Sequence, residues 1–156
     1  MQKITPFLWF DNQAEEAAAF YCSVFKNSRI VRVEKYANAS PDGSDVTQVV
    51  FELDGQPYYA LDGGPEFKFN EAVSLYVDCA DQEEVDELWA ALTAGGGEPG
   101  PCGWLKDKYG LSWQIVPRFL TDLGTDPNKE AAGRALQAML KMSKIDVQAL
   151  RDAYNG

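Results

Sequence analysis

The 156-residue chain contains no histidine. That absence removes the commonest general base near neutral pH and the commonest transition-metal ligand together. A cysteine–histidine dyad cannot be assembled within one chain. Cysteine is scarce as well: Cys22, Cys79 and Cys102 make an odd count without C-x-x-C spacing, so neither a disulfide framework nor a zinc knuckle is indicated. Positive charge is in deficit, with 14 Lys plus Arg against 24 Asp plus Glu and a net charge of −10. Polyanions and anionic membranes are repelled by that balance, and no basic patch with interleaved aromatics offsets it. No run reaches the roughly 18 apolar residues of a membrane span. The segment Met1-Gln2-Lys3-Ile4-Thr5-Pro6 carries no apolar signal core. The expectation is a cytoplasmic protein without nucleic-acid or membrane partners.

What is present is a foldable composition, 46% hydrophobic and 12% aromatic, arranged as a weak internal repeat. Leu8-Trp9-Phe10-Asp11 and Leu75-Tyr76-Val77-Asp78 lie 67 positions apart. Each reads as an apolar strand ending in aspartate, followed by an amphipathic helix. The first helix is predicted over 14–25, with Ala17, Phe20, Tyr21 and Val24 at core spacing. The second is predicted over 82–94, with Asp81 as N-cap, Glu84 three residues on, and Gly95-Gly96-Gly97 as its stop.

Strands follow each helix: 29–36, 47–53 and 58–61 in the first half, then a short stretch near Glu98, 103–106 and 111–116 in the second. The plan is βαβββ twice, an α+β fold. The first module covers about 1–65 and the second about 70–120, within one domain of 156 residues. Two helices close the chain, over 127–142 and 146–154. They form a terminal segment of about 127–156, where Lys129, Arg134, Lys141, Lys144 and Arg151 outnumber the nearby acids. That segment reads as a helical tail docking on an acidic body or a partner subunit.

Alternation assigns faces. Leu8 and Phe10, and likewise Val73, Leu75 and Val77, suit packing under a helix. Thr5, Phe7 and Trp9, then Ala72, Ser74 and Tyr76, point the other way, as do Ser112, Gln114 and Val116 in the last strand. These opposite faces mix polar and aromatic residues, which predicts a mixed sheet curled around a cavity. Phe7, Trp9 and Tyr76 would supply its apolar wall, and Ser74, Ser112 and Gln114 its orienting polar groups. Asp62, Glu66, Cys102 and Lys106 are candidates for the cavity rim. Lys106 and Lys108 are positioned in sequence to lower the Cys102 thiol pKa, and Glu52 is a candidate base.

Several segments resemble the PhnB-like branch of the vicinal-oxygen-chelate (glyoxalase and bleomycin-resistance-like) superfamily, also labelled the 3-demethylubiquinone-9 3-methyltransferase domain family. They include Ile4-Thr5-Pro6-x-Leu8-Trp9-Phe10, Ala14-Glu15-Glu16-Ala17, Gly63-Gly64-Pro65-x-Phe67, Cys102-Gly103-Trp104-Leu105-Lys106-Asp107, Ser112-Trp113-Gln114-Ile115-Val116-Pro117 and Ala138-Met139-x-Lys141-Met142. The resemblance spans nearly the whole chain and implies a homodimer. Metal-using members of the superfamily place His, Glu or Gln at four cavity positions, which fall here on Thr5, Ala72, Gln114 and either Tyr59 or Leu61. Of these only Gln114 is a plausible ligand, so no metal and no other cofactor is expected. Neither Gly63-Gly64 nor the Gly95 run opens a helix after a strand, as an adenosine-bearing methyl donor usually requires.

Two functions follow. One is metal-independent binding or sequestration of a small apolar or aromatic molecule. The other is an enzyme of the superfamily, of the labelled methyltransferase type or a lyase or isomerase, using cavity carboxylates or Cys102.

Overall fold

The computed structural model describes residues 3–156; Met1 and Gln2, the first residues of the N-terminal segment read above, lie outside the described residues. The chain divides into two compact units, with the boundary between Phe69 and Asn70. In the first unit the order is β1 (Phe7–Phe10), α1 (Ala14–Val24), β2 (Arg29–Tyr36), β3 (Val46–Leu53) and β4 (Gln56–Asp62). Its four strands run β1-β4-β3-β2. The first is parallel to the last, and the other pairings are antiparallel.

Small residues let α1 sit close to this sheet. Ala14, Ala17 and Ala18 are buried with Tyr21, whose ring stacks on Phe51 at 6.5 Å. Val49, Phe51, Leu53 and Ala60 complete the core. The β3–β4 hairpin turns on Asp54 and Gly55, both at positive φ (49° and 78°), which matches the right-handed twist of the strands it joins. Gln13 gives α1 no side-chain cap. The Asp62 carboxylate, at the end of β4, accepts from the Ala14 N–H at 2.7 Å instead, where a negative charge suits the helix N-terminus.

The second unit repeats the plan: β5 (Ser74–Cys79), α2 (Gln82–Thr93), β6 (Glu98–Pro99), β7 (Trp104–Lys106) and β8 (Ser112–Pro117), in strand order β5-β8-β7-β6. Asp81 accepts from the Glu84 N–H at 3.0 Å, and Glu84 accepts from the Ala80 N–H at 3.1 Å. The anticipated N-cap is therefore present. Gly95 and Gly96, at φ 73° and 115°, turn the chain out of α2.

Three differences from expectation have physical causes. Each module forms its own uncurled four-stranded sheet, not a share of one curled sheet. The reason is that β2 and β6 remain edge strands of their own sheets, and a sheet closes only when its edges pair. Val73 is 69% exposed and not helix-packed, because β5 begins only at Ser74. The terminal segment is longer and more broken than its periodicity suggests, with α3 (Arg118–Asp122), a 3₁₀ turn (Leu123–Thr125), α4 (Lys129–Met139) and α5 (Val147–Asn155). After α4 the backbone leaves the helix, and the Met142 and Ser143 carbonyls accept from the Cys102 and Gly103 N–H groups at 2.8 Å each.

That terminal segment docks on its own unit. Leu120, Leu123, Ala132, Ala135, Ile145 and Leu150 form an apolar cluster with Val116 of β8. Gln82 of α2 clasps it by donating to the Ile145 carbonyl at 3.0 Å and accepting from the Val147 N–H at 2.7 Å. Lys144 pairs with Asp86 at 2.7 Å. Among the described residues no helix is long and apolar enough to cross a membrane.

One buried acid organises the β7–β8 turn. Asp107 is 3% exposed and accepts from the Tyr109 N–H at 2.8 Å, the Leu111 N–H at 3.1 Å and the Trp113 indole N–H at 2.9 Å. Asp107→Ala leaves these donors unpaired, and each costs about 1–3 kcal/mol if nothing replaces the acceptor. Urea denaturation of D107A is expected to show a loss of several kcal/mol at an unchanged m-value; a loss below about 1 kcal/mol would refute this role.

Candidate functional site

The predicted cavity residues fall into two sets, one in each unit. In the first unit, β1 carries Phe7 and Trp9 on the face turned away from α1. Parallel pairing places Phe7 opposite Tyr59 and Trp9 opposite Leu61. The Phe7 and Tyr59 rings lie 5.8 Å apart. Phe7 is 51% exposed, and Trp9 is half-buried. Together they make an aromatic shelf.

Trp9 is held in place from the loop after β4. Its indole N–H donates to the Gly64 carbonyl at 2.9 Å, and Phe67 meets its ring edge-on at 5.0 Å. A β-carbon at Gly63 would overlap the indole. The Gly63-Gly64 pair is thus the seat of Trp9. The two predicted rim acids of this loop separate: Asp62 caps α1 and is turned towards the helix, whereas Glu66 is exposed.

Beside the shelf the same face becomes ionic. Arg32 pairs with Glu34, which also accepts from the Tyr36 hydroxyl at 2.6 Å and the Gln48 amide at 3.2 Å. The Tyr36 hydroxyl and the Arg32 guanidinium hold the Glu34 carboxyl below its usual pKa. Glu52, the candidate base, pairs with Arg29 at 2.7 Å.

In the second unit, register brings the polar candidates together on the face turned away from α2. Ser74 lies opposite Ser112 and Tyr76 opposite Gln114; on the other side of β8, Trp104 is opposite Gln114 and Lys106 opposite Ser112. The Gln114 amide donates to the Ser74 hydroxyl at 3.0 Å. Tyr76 is 50% exposed, and its hydroxyl lies 2.5 Å from that of Thr121 on α3. Lys106 pairs with Glu71, which raises the pKa of the ammonium and lowers that of the carboxyl. Tyr59, Phe67, Thr121, Trp104 and Glu71 complete these sets. Tyr59 is among the cavity positions implied by the superfamily resemblance, as one of two alternatives with Leu61; Thr121 and Glu71 are not among the sequence candidates.

Cys79 is fully buried, and burial, with Glu84 and Asp78 adding to it, pushes its thiol up to about 12. Burial also raises Cys22. Cys102 adopts a positive φ of 57°, held by the bond from its N–H to the Met142 carbonyl.

The positions that bear metal ligands in metal-using superfamily members do not suit one here. Gln114 offers a single neutral amide oxygen, Ala72 and Leu61 have no side-chain donor atom, and the hydroxyls of Thr5 and Tyr59 are poor partners for a divalent ion, too few donors for the roughly four to six such an ion takes. Among the described residues no group of three His, Cys, Asp or Glu side chains converges to hold an ion.

The comparisons with known proteins agree with this fold. Residues 2–116 match the model of the 3-demethylubiquinone-9 3-methyltransferase family. The chain belongs to that family. A PhnB protein from Bacillus cereus, described as a 3-demethylubiquinone-9 3-methyltransferase, is 37% identical with a TM-score of 0.65, over 74% of this chain and 99% of that one. A Pseudomonas aeruginosa protein matches at 19% identity and TM-score 0.58, over 75% of this chain and 98% of that one.

The fosfomycin resistance protein FosX of Listeria monocytogenes, solved with Mn(II) and 1S,2S-dihydroxypropylphosphonic acid, matches at 17% identity and TM-score 0.54, over 72% of this chain and 90% of that one. These likenesses establish the vicinal-oxygen-chelate fold of this PhnB-like protein. No curated protein matches the chain. The family match ends at Val116, short of the nearly complete span expected from the motifs, so α3–α5 lie beyond it.

Two outcomes follow. Gly63→Ala should destabilise the first unit by about 1–3 kcal/mol through overpacking on Trp9. Trp9→Leu should remove most of that penalty in a double-mutant cycle; additive effects would rule the contact out. For Cys79, the folded pKa of about 12 lies above the ordinary 9.0. Its contribution to stability is therefore complete below about pH 9 and is lost as pH rises towards 12. Cys79→Ala should flatten that part of the stability–pH curve, and an unchanged slope would count against a buried neutral thiol.

Proposed function

We propose that this PhnB-like protein binds a small, largely apolar molecule without a metal, for sequestration or sensing. The observation that carries this reading is the shelf of Phe7, Tyr59 and Trp9. Its outermost ring is half-exposed, while its innermost is fixed by a hydrogen bond and by a glycine seat. A preorganised aromatic surface gains affinity because little side-chain freedom remains to be lost on binding.

The enzyme reading has less support. Glu52 and Lys106 are each engaged by an oppositely charged neighbour. Cys102, the candidate nucleophile, has no histidine in the chain to serve as its base, and its backbone is tied at positive φ to the Met142 carbonyl. Methyl transfer, named in the family description, finds no support in the glycines either. Gly63 seats Trp9, and Gly95-Gly96 close α2.

The test uses N-phenyl-1-naphthylamine, an uncharged fluorescent aromatic. Saturable enhancement is expected, weakened about three- to tenfold in Phe7→Ala as one aromatic contact is removed. EDTA and added divalent ions should change neither the binding nor the melting temperature, and elemental analysis should find no stoichiometric metal. Absence of saturable binding, or an affinity unchanged in F7A, would overturn the shelf. A stoichiometric metal that shifts the melting temperature would overturn the metal-independent reading.

A further inference from the structure

The stretch from Met142 to Val147, which joins α4 to α5, is strapped down residue by residue. The Met142 carbonyl accepts from the Cys102 N–H and the Ser143 carbonyl from the Gly103 N–H, at 2.8 Å each. The Ser143 hydroxyl donates to the Gly100 carbonyl at 2.7 Å. Lys144 pairs with Asp86, Ile145 is completely buried, and Gln82 holds both the Ile145 carbonyl and the Val147 N–H. The seat has little slack, because a β-carbon at Gly103 would lie 3.1 Å from the Ile145 side chain.

One of these ties runs through sulfur. The Asp146 N–H donates to the Met142 Sδ at 3.5 Å, while the Asp146 carboxylate caps α5 by accepting from the Ala149 N–H at 3.0 Å. Met142 therefore closes the turn that starts α5. Its side chain also packs against the apolar cluster of Leu120, Ile145 and Leu150, yet it is half-buried and not sealed from solvent. A thioether suits this place because it is apolar, adaptable and a weak acceptor. As a sulfoxide it becomes polar and chiral and disrupts such packing. The acceptor would then sit on oxygen, one bond further out, and the tight approach of Gly103 to Ile145 leaves the strap little room to follow.

We propose that Met142 is a redox-sensitive latch: a peroxide oxidises its thioether, and the strap loosens its hold on the turn at Gly100–Gly103 and on the α5 cap. The sulfur lone pair attacks one peroxide oxygen, the O–O bond breaks and an S=O bond forms. Sulfur gives up two electrons, and the other peroxide oxygen takes the proton of the first and leaves as water or an alcohol. A thiol-dependent sulfoxide reductase reverses the step, its two thiols becoming a disulfide and the oxygen leaving as water. The latch uses no residue of the Phe7 shelf and does not rest on the small-molecule reading.

Hydrogen peroxide titration of the whole chain, followed by peptide mass spectrometry and amide hydrogen exchange, tests it. One added oxygen is expected on Met142, with exchange at the Cys102, Gly103 and Asp146 amides faster by about tenfold or more and exchange in β3 of the first unit unchanged. Methionine sulfoxide reductases of both epimer specificities, supplied with dithiothreitol, should restore the slow exchange. Met142→Leu, close in volume, should make these amides indifferent to peroxide, whereas Cys102→Ser should leave the response intact. Resistance of Met142 to oxidation in the folded chain, an oxidised Met142 with unchanged exchange, or no recovery with the reductases would each overturn the latch. So would a full response in M142L or none in C102S. The measurements on the parent protein decide the matter even if a variant folds poorly.

Discussion

Parallel pairing of the first strand of each unit with its last is the constraint on which everything else rests. A parallel pair cannot be joined by a tight turn, so the chain must cross over, and here it does so through a helix and two further strands. The helix then covers one face of each sheet, leaving the other to carry side chains that the core does not need. In the first unit this pairing sets Phe7 beside Tyr59 and Trp9 beside Leu61. In the second it sets Ser74 beside Ser112 and Tyr76 beside Gln114. Neither set is contiguous in sequence, and a slip of one residue in either register would send its side chains into the core.

The two faces answer that freedom differently. The first is aromatic beside an ionic patch in which Arg32 and Arg29 each have a glutamate. The second is hydroxyl- and amide-rich, with its lysine neutralised by Glu71. Without histidine the chain cannot place imidazole on either face. The position that falls on a last-strand ligand elsewhere in the superfamily is here a glutamine bonded to serine. Charge is thus paired off locally on both faces, while aromatic area and hydroxyls remain beside the ion pairs.

Much of this was legible in the sequence, for identifiable reasons. The 67-residue offset between Leu8 and Leu75 located both modules, because strand alternation and helical periodicity are strong local signals. The Asp81–Glu84 cap was legible because capping is a contact between near neighbours. Long-range side-chain roles were not. Asp62 reads as a loop acid but reaches 48 residues back to cap α1, and Lys106 reads as a neighbour of Cys102 but pairs with Glu71. The rank of Trp9 among the candidates was visible, yet the reason Gly63 must be glycine needed the indole in place. Short helices such as α3 escaped because five residues hold too little periodicity to register.

The helices beyond Val116, where the family match ends, bear on the second face directly. They are not a loose tail: α3 supplies Thr121 to the Tyr76 hydroxyl, and Arg118 makes a two-pronged contact with Asp78 at 2.9 and 3.1 Å. The apolar cluster around Leu120, Ile145 and Leu150 anchors this to Val116 at the end of β8. Exposed ion pairs alone would add little, so the apolar cluster and the Gln82 clasp must do most of the holding. Their effect on the site is to remove rotational freedom from one aromatic while leaving half its surface exposed. By fixing Tyr76 from α3, these helices act on the neighbour of Gln114 in the second sheet, so the face turned away from α2 depends on residues beyond the stretch that the family model matches.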